Sequence, residues 1–355
     1  MRPPLDALRR ILEAGLLAPS AENKHYLEFK CDGDSVDLMA TDRASWAAQP
    51  HRQMLALLSY GAVVENLALR SAELGYALSV EWAGDLLASG RVARLRWCVS
   101  AATADPLGHA IEGRHTNRRF YRGFYRRGAL PVSTLTRLSA AAHAVPGARL
   151  LWLADAADRR AALRAIRLAE TERFRRRALH DELFGAVRFD LGWKQTADEW
   201  LPPGALEVEP PMRAGFALLR HWRAMRAASW LGLHHALGLR AGYLPCSLAP
   251  HLGLVLAESS HETLANLQAG SAFQRVWLAA TAEGLALQPM AAVTALLRQT
   301  PGGGWVDAGV QAQLARLVQP FCRSAGERPY LLFRLGQADP PSVTATRLPL
   351  HHYLR

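Results

Sequence analysis

Gly61-Ala-Val-Val-Glu-Asn-Leu-Ala-Leu-Arg-Ser-Ala-Glu-Leu-Gly75-Tyr-Ala-Leu lies without a gap over Gly270-Ser-Ala-Phe-Gln-Arg-Val-Trp-Leu-Ala-Ala-Thr-Ala-Glu-Gly284-Leu-Ala-Leu. In both stretches the glycines are 14 positions apart. Apolar and small residues recur with helical period, at Leu58, Gly61, Val64 and Ala68 in one copy and Phe273, Val276, Trp277 and Ala280 in the other. The second glycine of each then closes its helix as a left-handed cap. Each copy is later followed by an alternating segment that reads as a strand, 94–99 and 330–335. Two copies of one helix-and-strand unit divide the chain near residue 110. The expected parts are a shorter N-terminal half, 1–110, and a longer C-terminal half, 111–355, with a lid insertion at about 186–212.

The rest of the chain fits this frame. Its 355 residues suffice for two units, and 50% apolar with 21% charged residues is an ordinary globular balance. The uncharged apolar stretches, such as Leu252 to Ala257, are far shorter than the roughly 18 residues that would suggest a membrane span. The net charge of +11 is the outlier, and only Lys24, Lys30 and Lys194 of the 42 basic residues are lysines. Arginine usage this lopsided reads as composition rather than as a nucleic-acid surface. Four cysteines without a Cys-x-x-Cys pair form no disulfide framework, and the N-terminal stretch is an amphipathic helix rather than a signal core. The expected location is the cytoplasm, with neither nucleic acid nor membrane as partner.

Periodicity predicts helices at 4–17, 53–74, 132–143, 155–184, 211–238, 260–283 and 307–320, and strands at 26–31, 35–40, 78–82, 94–99, 149–153, 252–257 and 330–335. Between Phe189 and Met212 the Pro-Pro pairs are too dense for an element interior, which predicts a loop or lid.

Standard catalytic templates are missing from the sequence: there is no Gly-x-Ser-x-Gly elbow and no Walker lysine. Gly302-Gly-Gly304 follows a predicted helix, which argues against a dinucleotide fingerprint, and the pairs His234-His235 and His351-His352 lack metal-site spacing. Three segments stand out instead. Arg114, Thr116 and Arg118, with His115 and Asn117 between them, offer guanidinium forks, a hydroxyl and turn amides suited to one phosphate; a solvated basic turn would read the same way. Arg347, in Thr344-Ala-Thr-Arg-Leu-Pro349, could reach the same anion. Pro19, Ser20, Ala21 and Asn23 form a helix-turn-strand connection ending near His25.

Together these segments resemble the nitroreductase-like FMN flavoprotein family. Arg114-His-Thr-Asn-Arg118 is similar to its phosphate-binding run, and Pro19-Ser-Ala-Glu-Asn23 to its Pro-Ser-x-x-Asn segment. Gly284-Leu-Ala-Leu-Gln-Pro-Met290 with Ala291 and Ala292 resembles the turn whose amides face flavin N5 and O4, and Arg347 resembles the C-terminal phosphate arginine. The order of the segments, together with the repeat, resembles the single-chain branch in which two halves build one site. The resemblance implies an α+β nitroreductase-like fold: two related halves, each with a small, mostly antiparallel sheet wrapped by helices, as an intrachain pseudo-dimer. It implies an FMN-dependent oxidoreductase that passes hydride through flavin N5 in two half-reactions. NADH or NADPH would be the reductant, the substrate a small molecule or peptide, and the state monomer or homodimer. The implied cofactor-binding residues are Pro19, Ser20, Ala21, Asn23, His25, Arg114, His115, Thr116, Asn117, Arg118, Pro289, Met290, Ala291, Ala292 and Arg347. His25 and His51 are candidate proton donors, and no metal is implied. A flavin-storing protein, or a non-catalytic partner in a biosynthetic complex, are the alternatives. The chain departs from the family at His25-Tyr26-Leu27, where Gln-Pro-Trp is usual, and at Ala291-Ala292. Main-chain contacts survive such changes.

Overall fold

Two four-stranded antiparallel sheets with the same strand order, each packed against one long helix, form the framework of the computed structural model, which describes residues 2–119, 128–299 and 305–355. The first half runs α1 (Leu5–Leu16), β1 (Leu27–Asp32), β2 (Ser35–Ala40), α2 (Pro50–Glu73), β3 (Tyr76–Trp82), the single turn α3 (Leu86–Ser89) and β4 (Arg91–Val99). Its sheet order is β1-β2-β4-β3. Leu8, Ile11 and Leu12 of α1 and Leu57, Val63 and Leu67 of α2 close over Phe29, Val36, Leu38 and Leu95 of the sheet, one apolar stripe per helix facing alternate strand residues.

The second half begins with α4 (Val132–His143) and β5 (Ala148–Trp152), followed by α5 (Ala156–Arg175), α6 (Arg177–Gly185), α7 (Arg213–Leu219), α8 (Trp222–Trp230), α9 (Leu233–Gly238) and α10 (Leu244–Leu248). It continues with β6 (His251–Glu258), α11 (Glu262–Ala282), β7 (Ala286–Met290), α12 (Ala292–Leu297), α13 (Ala308–Val318) and β8 (Glu327–Gly336). The sheet order β5-β6-β8-β7 repeats that of the first half. A turn at Gly33, with φ +54°, joins β1 to β2, whereas α5 to α10 lie between β5 and β6.

The paired glycines of the repeat explain how the halves meet. A Cβ on Gly61 would lie 1.9 Å from the Leu267 carbonyl oxygen, and one on Gly270 would lie 2.1 Å from that of Leu58. The shift that carries Gly61 onto Gly270 also carries Leu58 onto Leu267, so these two contacts are the same contact seen from either helix. Polar pairs flank the crossing with the same reciprocity. Arg275 Nη1 donates to Glu65 Oε1 at 2.7 Å, and Gln274 Nε2 donates to Asn66 Oδ1 at 2.7 Å. Bare glycine backbone thus lets α2 and α11 touch, and the matched pairs offset part of the cost of burying polar groups beside them, although Gln274 Oε1 is left without a partner. Gly75 (φ +81°) and Gly284 (φ +66°) end β3- and β7-bound helices in the left-handed conformation expected of them.

Three expectations need correction. The helix expected at 155–184 breaks at Arg176, whose φ of −98° and ψ of 127° are extended; Glu172, already bonded to Arg175 at 3.1 Å, also holds Arg176 at 2.9 Å. The helix expected at 211–238 is three short ones, because His221 is extended and Gly232 turns left-handed with φ +80°. Residues 286–290 form an unanticipated strand, and Pro289 is tolerated there because β7 is the edge of its sheet. Gly302 to Gly304 lie outside the described residues.

Candidate functional site

A cavity of about 1010 Å³ opens between the two halves, at the generous end of the usual range for small-molecule sites. Its walls come from the α1–β1 connection, α2, the run after residue 113, the insertion, the end of β7 and the C-terminal segment. Pro19, Ser20, Ala21, Asn23, Arg114, His115, Thr116, Arg118, Pro289, Met290, Ala291, Ala292 and Arg347 all line it, as does His51. Folding therefore brings together residues that are hundreds of positions apart.

Each segment is fixed by backbone pairing. Thr116 bridges to Leu287 in parallel, and the Asn117 amide donates to the Leu287 carbonyl at 3.1 Å, so the arginine run lies along β7. The C-terminal segment returns to the first half, where Phe29 bridges Leu354 and Arg347 is left beside the end of α1. There Arg347 donates to the carbonyls of Leu16 at 2.9 Å and Ala18 at 2.8 Å, and Arg114 to that of Leu17 at 2.7 Å. The electronegative end of the α1 dipole suits both cations. The Trp277 ring lies 4.3 Å under the Arg114 guanidinium.

The electrostatics at this end are unbalanced. Arg114 is only 8% exposed, and none of Arg114, Arg118 and Arg347 pairs with a carboxylate among the described residues. Burial, reinforced for Arg114 by Arg347, pushes Arg114 down to about 9; burial also pushes Arg118 and Arg347 down to about 10. All three are charged at neutral pH. The Arg114 Nε and the Ser20 hydroxyl are buried without a hydrogen-bond partner. Buried cations without counter-ions and orphaned donors are costly unless an anionic ligand completes them.

Two of the expected residues do not line the cavity. His25 is 5% exposed; its Nε2 donates to the Leu16 carbonyl at 3.0 Å and its Nδ1 faces the Ser59 hydroxyl at 3.3 Å. Burial, with Arg347 second, pushes it down to about 3, so it is a neutral packing residue and not a proton donor. Asn117 is spent on the loop, donating to the Asp339 carbonyl at 2.8 Å and accepting from the Arg119 amide at 3.0 Å. Asn23 lines the cavity, and its Nδ2 ties down the carbonyls of Trp200 and Thr346 at 3.3 Å each.

The other end of the cavity carries acids and apolar rings that motif reading passed over. His51 Nε2 meets Glu182 Oε1 at 3.0 Å, and Gln299 Nε2 donates to His51 Nδ1 at 2.6 Å. Arg52 Nε also donates to Glu182, at 3.0 Å. Phe174, Leu183, Phe216 and Leu237, on the helices between β5 and β6 and outside the 186–212 expected as a lid, build an apolar wall. Glu22 sits within the quoted Pro19-to-Asn23 segment, at a position its motif leaves open, and Trp277 reads in sequence as an ordinary core residue. Their roles depend on neighbours distant in the chain.

No family model and no curated protein matches the chain. It is similar to solved structures of nitroreductase-like FMN proteins. One is the FMN-dependent nitroreductase NfnB from Mycobacterium smegmatis in complex with NADPH, at 19% identity over 70% of this chain and 96% of that one, with a TM-score of 0.36. Another is an iodotyrosine deiodinase bound to FMN and 3-iodo-L-tyrosine, at 16% identity over 66% and 91% of the two chains and a TM-score of 0.34. A third is the NfrA1 nitroreductase from B. subtilis, at 11% identity over 68% and 70% and a TM-score of 0.36.

Proposed function

We propose that the protein is an FMN-dependent oxidoreductase of the nitroreductase-like kind, an internal pseudo-dimer with one flavin site between its halves. The observation that carries this reading is the convergence of Arg114, Arg118 and Arg347, without carboxylate partners, on a cavity large enough for a flavin nucleotide. The residues fit the group: a phosphate would meet the Arg114 and Arg347 guanidiniums held at the end of α1, the free Arg114 Nε and the Ser20 hydroxyl, with Arg118 elsewhere on the cavity wall. The backbone of 289–292 lines the same cavity, where the resemblance places amides opposite N5 and O4. Bound FMN would supply hydride transfer at N5. The protein's part is to neutralise the phosphate, orient the ring and exclude water with the apolar wall of the insertion.

The two halves account for a single site. After α1 the chain runs through residues 17–26 before β1, and this connection carries Pro19 to Asn23. The matching connection after α4 is only 144–147, too short to supply those groups. The reductant is NADH or NADPH in this reading, and the substrate a small molecule or peptide.

Flavin absorbance of the purified protein, followed by anaerobic titration, tests the reading. It predicts a yellow protein, or uptake of added FMN, and bleaching of the bound flavin by NADH or NADPH. A protein that takes up no FMN contradicts the proposal. Bound FMN that dithionite reduces but neither nicotinamide reduces would assign the protein to flavin storage instead.

A further inference from the structure

At the acid end of the cavity, one carboxyl has no partner. Glu22 lines the cavity in a three-residue turn, with φ 56° and ψ 21°, and Asn23 after it has φ 61°. Two successive left-handed residues without glycine are strained, and such strain persists where the surroundings impose it, often at functional positions. The side chain makes no hydrogen bond or ion pair among the described residues.

Among the described residues the cations around it are already paired. On α2, Arg52 holds Glu182 of α6 at 3.0 Å. On α5, Arg173 pairs with Glu170 at 3.1 Å, and beside Glu22 in its own segment Lys24 pairs with Glu199 at 3.6 Å. Tyr26, at the start of the first sheet, and Asp42 bring no positive charge. Glu22 is therefore a half-buried acid beside another acid, and the cations named here, all among the described residues, are each paired with a different carboxylate. Burial first, and the Glu182 charge second, push it up to about 7.

We propose that the Glu22 carboxyl, unpartnered among the described residues and lining the cavity, donates a hydrogen bond in its protonated form, and in turnover its proton, to a lone-pair atom of a carbonyl, imine, quinone or nitro compound bound there. The proton transfer rests on the flavoprotein reading for its hydride; the protonation state does not. With FMN bound, the flavin would supply hydride to one atom of the acceptor, and Glu22 would supply the proton to another. The carboxyl O–H bond breaks, its electron pair stays on the carboxylate, and solvent at the cavity mouth returns the proton.

The test begins with the full-length protein labelled with ¹³C at the glutamate carboxyls and titrated by NMR. The expected result is one resonance with a midpoint near 7 that disappears in Glu22→Gln. A wild-type protein in which every glutamate titrates below about 5.5, or a midpoint near 7 that survives in Glu22→Gln, overturns the proposal. The second arm is steady-state reduction of 1,4-benzoquinone by NADH. Wild-type kcat should fall as pH rises through 7. Glu22→Gln should be at least tenfold slower and flat with pH, with KM little changed, and Glu22→Asp should regain the pH dependence. Unchanged kcat in Glu22→Gln overturns the donor role. A protein that binds no FMN would refute the functional reading, and the carboxyl titration would still decide the state of Glu22.

Discussion

Arg114 is a charged side chain held at a cost to the fold. It is buried on the Trp277 ring, bonded to one carbonyl, and short of a partner at Nε. The sign of its pH linkage follows from its lowered value. A base whose folded pKa lies below its unfolded one is penalised while charged, so the cost is fully present below about 9 and is relieved only as pH rises from there towards the ordinary arginine value. An anionic ligand relieves it at neutral pH. FMN at about a hundred times its Kd adds about 2.7 kcal/mol, which for a chain of this size raises Tm by roughly 3–4 °C. Differential scanning fluorimetry should show that rise, and Arg114→Met should abolish it. The rise should also exceed that given by chloride at equal ionic strength. The arginine run, the Pro19 loop and Arg347 were legible in sequence as clusters of phosphate-type donors. Glu22 and Glu182 were not, since what distinguishes them is which distant cation is already taken. His25 lies outside the cavity lining for a related reason: it is packed away from it, and its neutrality comes from burial and then the Arg347 charge, which no local pattern displays.

At the scale of elements, the crossing of α2 and α11 is the feature that sequence revealed best and the one with the sharpest stability prediction. Replacing a helix-interior glycine with alanine ordinarily gains up to about 1 kcal/mol. At Gly61 the added methyl would meet the Leu267 carbonyl carbon and oxygen, which are backbone and cannot rotate away. Gly61→Ala should therefore cost about 2 kcal/mol or more by urea unfolding, while Gly309→Ala in α13, with open space around it, should be neutral or slightly stabilising. Equal behaviour of the two variants would contradict the packing described. The repeat also held a signal for β7, because the shift that superposes the glycines carries β3 onto residues 286–290; Pro289 masked it. The insertion helices were less legible. Their apolar residues recur with helical period across His221 and Gly232, and the breaks at those points are set by how the short helices fold back over the cavity rather than by propensity.

Across the whole molecule, the excess of basic charge resolves unevenly. Arg9, Arg137 and Arg188 are exposed arginines bound to nearby carboxylates, at 2.9, 2.7 and 2.6 Å, and such surface pairs contribute little to stability. Arg114, buried, and Arg118 and Arg347, half-buried, line the cavity from distant parts of the chain without carboxylate partners among the described residues. Duplication built two similar sheets, the insertion between β5 and β6 supplied the apolar wall, and the long connection after α1 equipped one side only. The account therefore requires a single flavin per chain. Titration of the purified, flavin-free protein with FMN, followed by isothermal calorimetry, measures this most directly. The predicted result is one FMN per chain, with affinity lowered at least tenfold in Arg114→Met and in Arg347→Met, the scale expected for a lost charge-assisted bond. Two sites per chain, no binding, or binding unaffected by both substitutions would contradict it.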